Sequence, residues 1–252
     1  MSVEIDRYGS ELLKKLAQLA EANAAALDQA ADLCAKALAN KKIIHIYDTG
    51  HIISHELSTR TGGLVAYAHL SFDGHLDNRN LWRANNLGET PTPEQTLSSE
   101  RALINWLFGQ RTLQADDVLV IGSVSGVGIR LIELAIQARA RGLHIIAVTG
   151  PEFSRQIASK HPSGKHLYDV ADVVLNNAAE YGDSFFSIPG IEKKLCPISG
   201  ISAAVLMWSL TVGIVERLVA MGLSPSIYES VNQPNGPALV MEIERAYQEK
   251  GL

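Results

Sequence analysis

The chain has 252 residues, 46% of them apolar and 19% charged, with a formal net charge of −5. That is enough residues to bury a large core, and the composition of a soluble protein rather than a disordered or lipid-embedded one. Its 22 Lys and Arg residues are scattered rather than striped, so no basic footprint for nucleic acid is offered, and the two cysteines, Cys34 and Cys196, have neither disulfide-framework nor CxxC spacing.

Residues 1–42 carry one helical signal. Leu13, Leu16, Ala20, Ala24, Leu27, Ala31, Cys34 and Leu38 recur at spacings of three and four, and no glycine interrupts between Gly9 and Gly50. Such a stripe needs a partner surface, either the rest of the chain or a second subunit. The charged start, MSVEIDRYGSELLKK, lacks the apolar centre of a secretory signal. The longest apolar run, residues 203–215, contains Ser209 and Thr211 and is closed by Glu216 and Arg217, too short and polar for a membrane span. A cytoplasmic address is the expectation.

The β-branched run at 43–47 predicts a buried strand, followed by the turn DTGH (residues 48–51), a short helix through Glu56, and a second strand at 64–68. Residues 71–99, rich in Asn, Gly, Pro and Thr, read as a long loop, the kind that usually serves binding. A helix is expected near 100–108, capped by Ser98 or Ser99. Residues 116–150 then give strand, glycine-bearing loop, helix and strand, with Gly142 as the helix stop: a βαβ unit with parallel strands. A further strand is expected at 172–175, an irregular stretch at 176–199, an apolar helix at 202–221 and an amphipathic helix from about Pro237 to Gln248. Strands alternating with helices define an α/β fold with a parallel sheet covered on both faces.

In an open parallel sheet the ligand lies beyond the carboxyl ends of the strands. Two loops leave such ends with suitable chemistry, DTGH and SVSGVG (residues 123–128). Ser123 and Ser125 supply hydroxyls, Gly126 lets successive amides converge, and the following helix adds the positive end of its dipole. Together they form an anion site that requires neither lysine nor metal. A dinucleotide fold is excluded because Gly126 and Gly128 give only GxG, and the GxxxxGK[ST] pattern is absent.

The segments IIHIYDTGH, RTGGL, DDVLVIGSVSG, HPSGKHLYDVADVV, YGDS and PISGISAAVL, in this order, resemble the SIS (sugar isomerase) domain family. The likeness is closest to the branch of phosphoheptose isomerases and related phosphosugar-binding proteins. It implies one SIS domain over residues 1–252: an N-terminal helix (1–42), a three-layer αβα core with a five-stranded parallel sheet (43–200), and C-terminal helices (201–252). It also implies a homodimer or homotetramer and a sugar-phosphate ligand; the residues themselves give the expectation of no cofactor, no metal, no nucleic acid and no membrane. The family commonly has Asn, Ser or Thr where this chain has Gly128, and phosphoheptose isomerases carry a histidine on the late helix where this chain offers only Glu216.

On that resemblance, Ser123, Val124, Ser125, Gly126 and Gly128 hold phosphate, while Thr49, Gly50 and His51 line the sugar. Aldose–ketose isomerisation through an enediol needs a base and a proton shuttle. Glu56 leads as the base, with His51, His55 or His161 as shuttle. His51 and His55 lie four residues apart, a spacing that leaves metal coordination open, although the chain lacks HExxH there. Glu180 and Asp183 are second choices beyond the last strand, and Ser199 can cap a helix or touch sugar. A non-catalytic sugar-phosphate sensor and an ether lyase acting on an amino-sugar phosphate are the alternatives.

Overall fold

Strands β1 (Ile44–Asp48), β2 (Tyr67–His69), β3 (Val118–Gly122), β4 (His144–Thr149) and β5 (Val173–Asn176) make one parallel sheet in the order β2-β1-β3-β4-β5. The computed structural model describes residues 3–49, 53–72 and 90–252. Register runs without a slip from Ile44↔Val118 to Asp48↔Gly122, and from Val118↔His144 to Gly122↔Val148. All five residues of the central strand β3 are buried, which is why it reads as a continuous apolar run rather than an alternating one.

Alternation along the strands divides the core into two layers. Ile44, Ile46, Val118, Val120, Ile146 and Val148 face α1 (Val3–Ala39) and α7 (Ser199–Ala220). Tyr47, Leu119, Ile121, Ile145 and Ala147 face α3 (Pro93–Gly109), α4 (Ile129–Ala140) and α6 (Leu167–Val170). Only the C-terminal part of the α1 stripe read from the sequence is buried: Ala31, Cys34 and Leu38 lie in the core, whereas Leu13, Ala20 and Ala24 are exposed and Leu19 and Ala30 are buried instead. By length and composition alone α7 passes for a membrane span. Its Leu206, Met207, Leu210, Ile214 and Leu218 instead fill this layer, each contributing roughly 1.5–3 kcal/mol by burial.

Several boundaries differ from the sequence expectation, each for a local reason. Helix α3 begins at Pro93, not near residue 100. Thr92 accepts from the Gln95 amide (3.3 Å), the Gln95 side chain accepts from the Thr92 amide (2.9 Å), and Pro93 occupies the first turn. The expected loop at 71–99 therefore ends earlier, and residues 73–89 lie outside the described set. The second strand shifts from 64–68 to Tyr67–His69 because residues 62–65 pair with the C-terminal segment: Gly62 N–H donates to Tyr228 O, and Val65 N–H to Ser226 O. Within the stretch expected to be irregular, β6 (Ser184–Phe186) and β7 (Leu195–Pro197) form a small antiparallel hairpin, on which Tyr8 of α1 packs against Phe185 and Phe186. Helix α8 (Gly236–Lys250) closes the chain as expected.

Candidate functional site

The chain leaves β1 towards one edge of the sheet and β3 towards the other, so the order reverses between these two neighbours. A crevice is expected beyond their carboxyl ends, and a cavity of about 670 Å³ lies there. Tyr47, Asp48 and Thr49 enter from β1, Ser54 from α2 (Ile53–Leu57), His69 to Ser71 from the end of β2, and Gly128 to Leu131 from the start of α4. Thr96 and Glu100 of α3, with Lys160, complete the lining.

The loop between β3 and α4 reaches this cavity through its last residues. Gly126 has φ +62°, and the Ser123 hydroxyl accepts from the Gly126 amide at 3.4 Å. Gly128 is the N-cap of α4 and caps nothing with a side chain, so a twelve-residue helix begins beside the cavity without a side-chain cap. The amides of Ser125, Val127 and Gly128 donate to no group among the described residues, nor does the Ser125 hydroxyl. The Arg130 Nε donates to Glu100 at 2.7 Å, and its guanidinium lies over the Phe72 ring. Exposed Lys160 pairs with no acid among the described residues.

The residues singled out from the sequence are not all brought together. Thr49 and Gly128 line the cavity. Ser123 is buried as part of the turn, and Val124 packs against Ala179 and Ile198, so neither offers a side chain to a ligand. Gly50 and His51 lie outside the described residues, as does the His55 side chain on α2. Glu56 stands apart from the cavity. Its carboxylate accepts from Trp208 Nε1 and pairs with Arg60, both at 3.4 Å, and it borders a separate groove along α7 with Ile201, Val205 and Val212.

Three expectations are corrected. His161 is no exposed shuttle: it is 4% exposed, with Nε2 3.1 Å from Glu133 and Nδ1 2.7 Å from the Ser163 hydroxyl. Its segment is pinned by these bonds. Ser199 is also buried, its hydroxyl and amide both given to Asp183, at 2.5 and 3.0 Å. Glu180 pairs with Lys15 and Lys194, whose hydrogen bonds hold its carboxyl below the usual range; it tethers α1 to the β7 hairpin rather than facing the cavity.

Sequence reasoning missed Asp48, Ser54, His69, Thr96, Glu100, Arg130 and Lys160. Asp48 and His69 had a readable signal, standing at strand ends. Ser54 is fixed by Asp48, which accepts from its amide (2.8 Å) and its hydroxyl (2.6 Å). Glu100 and Lys160 had none, because distant packing brings them in. Among the described residues, no group of three or more His, Cys, Asp or Glu side chains is arranged to hold a metal ion.

A doubly wound parallel sheet with an open crevice at its β1/β3 switch point is the class this architecture defines. The SIS domain family model matches residues 7–150, and the chain belongs to that family. Among its relatives, a UPF0309 protein of Halalkalibacterium halodurans is 29% identical over 208 residues, covering 82% of this chain and 79% of the relative. One from Brucella canis is 29% identical over 247 residues, covering 97% and 96%. Among solved structures, the phosphoheptose isomerase of Neisseria gonorrhoeae superposes with a TM-score of 0.51 at 20% identity, over 84% of this chain and 96% of the other. That likeness is one of fold.

Proposed function

We propose that this chain binds a phosphorylated sugar in the β1/β3 cavity and interconverts its aldose and ketose forms through an enediol. One observation carries the reading: a helix N-terminus without a side-chain cap, with loop amides that donate to no group among the described residues, borders the cavity at the switch point, with Lys160 and Arg130 in its lining. Positive partial charge from those amides, joined by the Lys160 ammonium, suits a phosphate ester, while Arg130 is already paired with Glu100. Thr49 and His69 are of the type that hydrogen-bonds sugar hydroxyls, and Ser54, bonded to Asp48, holds that carboxylate beside them. Glu56, which borders the α7 groove rather than the cavity, keeps the role of base in this reading with His51 or His55 as its shuttle, and the second copy that covers the groove would have to bring the sugar and the carboxylate together. The same reading makes the protein a cytoplasmic homodimer or homotetramer. It is supported by the apolar groove at Glu56, which a second copy would cover.

A non-catalytic sensor is the second reading, favoured by the engagement of Glu56 with Trp208 and Arg60 outside the cavity. Thermal shift with sugar phosphates, each against its free sugar, tests binding, because a ligand selective for the folded state raises Tm by mass action. We expect a rise of several degrees for one phosphate and none for its free sugar. Proton NMR of that mixture then separates the readings. A second sugar phosphate of equal mass supports the isomerase, and unchanged substrate supports the sensor. No rise across aldose and ketose phosphates of five to seven carbons would overturn the phosphosugar reading.

A further inference from the structure

The carboxylate of Glu133 points into the protein from the middle of α4 with no exposed surface. A buried charge is costly unless several donors satisfy it. Here Arg101 Nε (2.7 Å), Gln137 Nε2 (2.8 Å) and His161 Nε2 (3.1 Å) do so. Burial alone would raise its pKa; those three hydrogen bonds outweigh burial and hold it below the usual carboxylate range. The Ser163 amide donates to His161 Nδ1 at 3.1 Å, which leaves the ring proton on Nε2, directed at Glu133. An apolar residue would pack α4 as well, so the expense suggests a task beyond holding the helix.

That task is visible in where the His161 loop goes next. Lys160 N–H donates to Val127 O at 3.0 Å, and Leu167 N–H to Gly126 O at 2.9 Å. Both carbonyls of the β3–α4 loop are thus turned towards the 160–167 segment. In a trans peptide the N–H opposes the C=O, and no described peptide bond is cis. Holding those two oxygens therefore turns the Val127 and Gly128 N–H groups the other way, where they meet no acceptor among the described residues. The same backbone places Lys160 on the cavity lining beside Gly128.

Resting on the phosphosugar reading above, we infer that Glu133 and His161 are positioning residues. Through the 160–167 segment they orient the Val127 and Gly128 amides and set Lys160 as the cation of the phosphate subsite. The ligand class this subsite takes is a phosphate monoester, whose dianion answers two amides and an ammonium together.

The test uses the full-length protein with inorganic phosphate as the probe, read by calorimetry and by the Val127 and Gly128 amide signals in 15N NMR. Lys160→Ala should weaken phosphate roughly tenfold or more while leaving the ligand-free Tm near that of the wild type. His161→Leu should weaken it comparably and abolish the phosphate-induced shift of both amide signals. His161→Gln, which keeps a donor at the Nε2 position, should recover most of the affinity, a rescue that lost packing alone would not produce. Should His161→Leu destabilise the fold, Glu133→Gln asks the same question with the shape retained, and weaker phosphate binding is again expected. If either folded variant binds phosphate as the wild type does, the positioning role is wrong. If Lys160→Ala does so, the subsite cation is wrong. Wild-type protein that binds neither inorganic phosphate nor any sugar phosphate would sink the functional reading itself, a result distinct from both.

Discussion

Gly126 shows how one residue settles the geometry of the loop. At φ +62° it occupies the left-handed region, and a Cβ there would lie 2.9 Å from Thr149 Oγ1 and 3.1 Å from Leu167 Cβ. Thr149 cannot simply withdraw, because its hydroxyl donates to Val124 O at 3.2 Å. Gly126→Ala should therefore cost about 2–4 kcal/mol, backbone strain and overpacking together. Urea unfolding measures this. A loss below roughly 0.5 kcal/mol, the usual effect of a surface change, would mean that the turn is not held as described. The glycine was legible in the sequence as a turn former. What it packs against was not, since Thr149 and Leu167 come from elements that follow it by more than twenty residues.

At the scale of elements, α7 carries two apolar faces where the sequence suggested one apolar helix. Leu206, Leu210, Ile214 and Leu218 are buried against α1 and the sheet. On the other side Val205, Val212 and Val219 repeat every seven residues and are 36%, 58% and 61% exposed. Ile201, Trp208 and Val215 alternate with them at steps of three and four, the pattern of a helix–helix seam. In our reading a second copy covers this seam and encloses the Glu56 groove. Val212→Asp combined with Val219→Asp should turn an oligomer into a monomer by sedimentation, with little change in the helical circular dichroism. A wild-type protein that sediments as a monomer would refute it. Element existence was readable for α1, β1, β3, α4 and β4, where periodicity is strong and caps are local. The β6–β7 hairpin was not, because its strands are three residues each and are defined by their pairing and by Tyr8 rather than by any pattern of their own.

For the whole molecule, pH dependence centres on buried carboxylates that tie distant segments together. Asp117 is 2% exposed and accepts from the Ile43 amide (3.0 Å), the Gln114 amide (2.8 Å) and His45 Nε2 (3.2 Å). Burial would raise its pKa; the hydrogen bonds from His45 and the two amides outweigh that and leave it lowered. A carboxyl depressed on folding adds stability that is full above its unfolded value, about 3.9. That stability is lost as the pH falls through the folded value, and Glu133 acts in the same sense. Stability to urea should be flat near neutrality and fall steeply below about pH 4. Asp117→Asn should lower the neutral plateau and flatten the acid limb, and an acid limb of unchanged slope would show that Asp117 does not drive it.

The sequence by itself determined the class of this protein. Apolar runs too continuous for a half-exposed strand, a helix between parallel strands and a glycine-bearing loop at a strand end are local patterns, and local patterns survive in one dimension. Of the residues read that way, Thr49 and Gly128 line the cavity. Only the tertiary structure decided which side chains share the cavity. Glu100 and Lys160 reach it from segments remote in the chain, while Ser123, Ser199 and His161, polar and well placed by position, are spent on internal hydrogen bonds. A polar residue near a strand end is equally suited to bind a ligand or to satisfy a buried neighbour. The partner that settles the choice is supplied by packing, not by spacing.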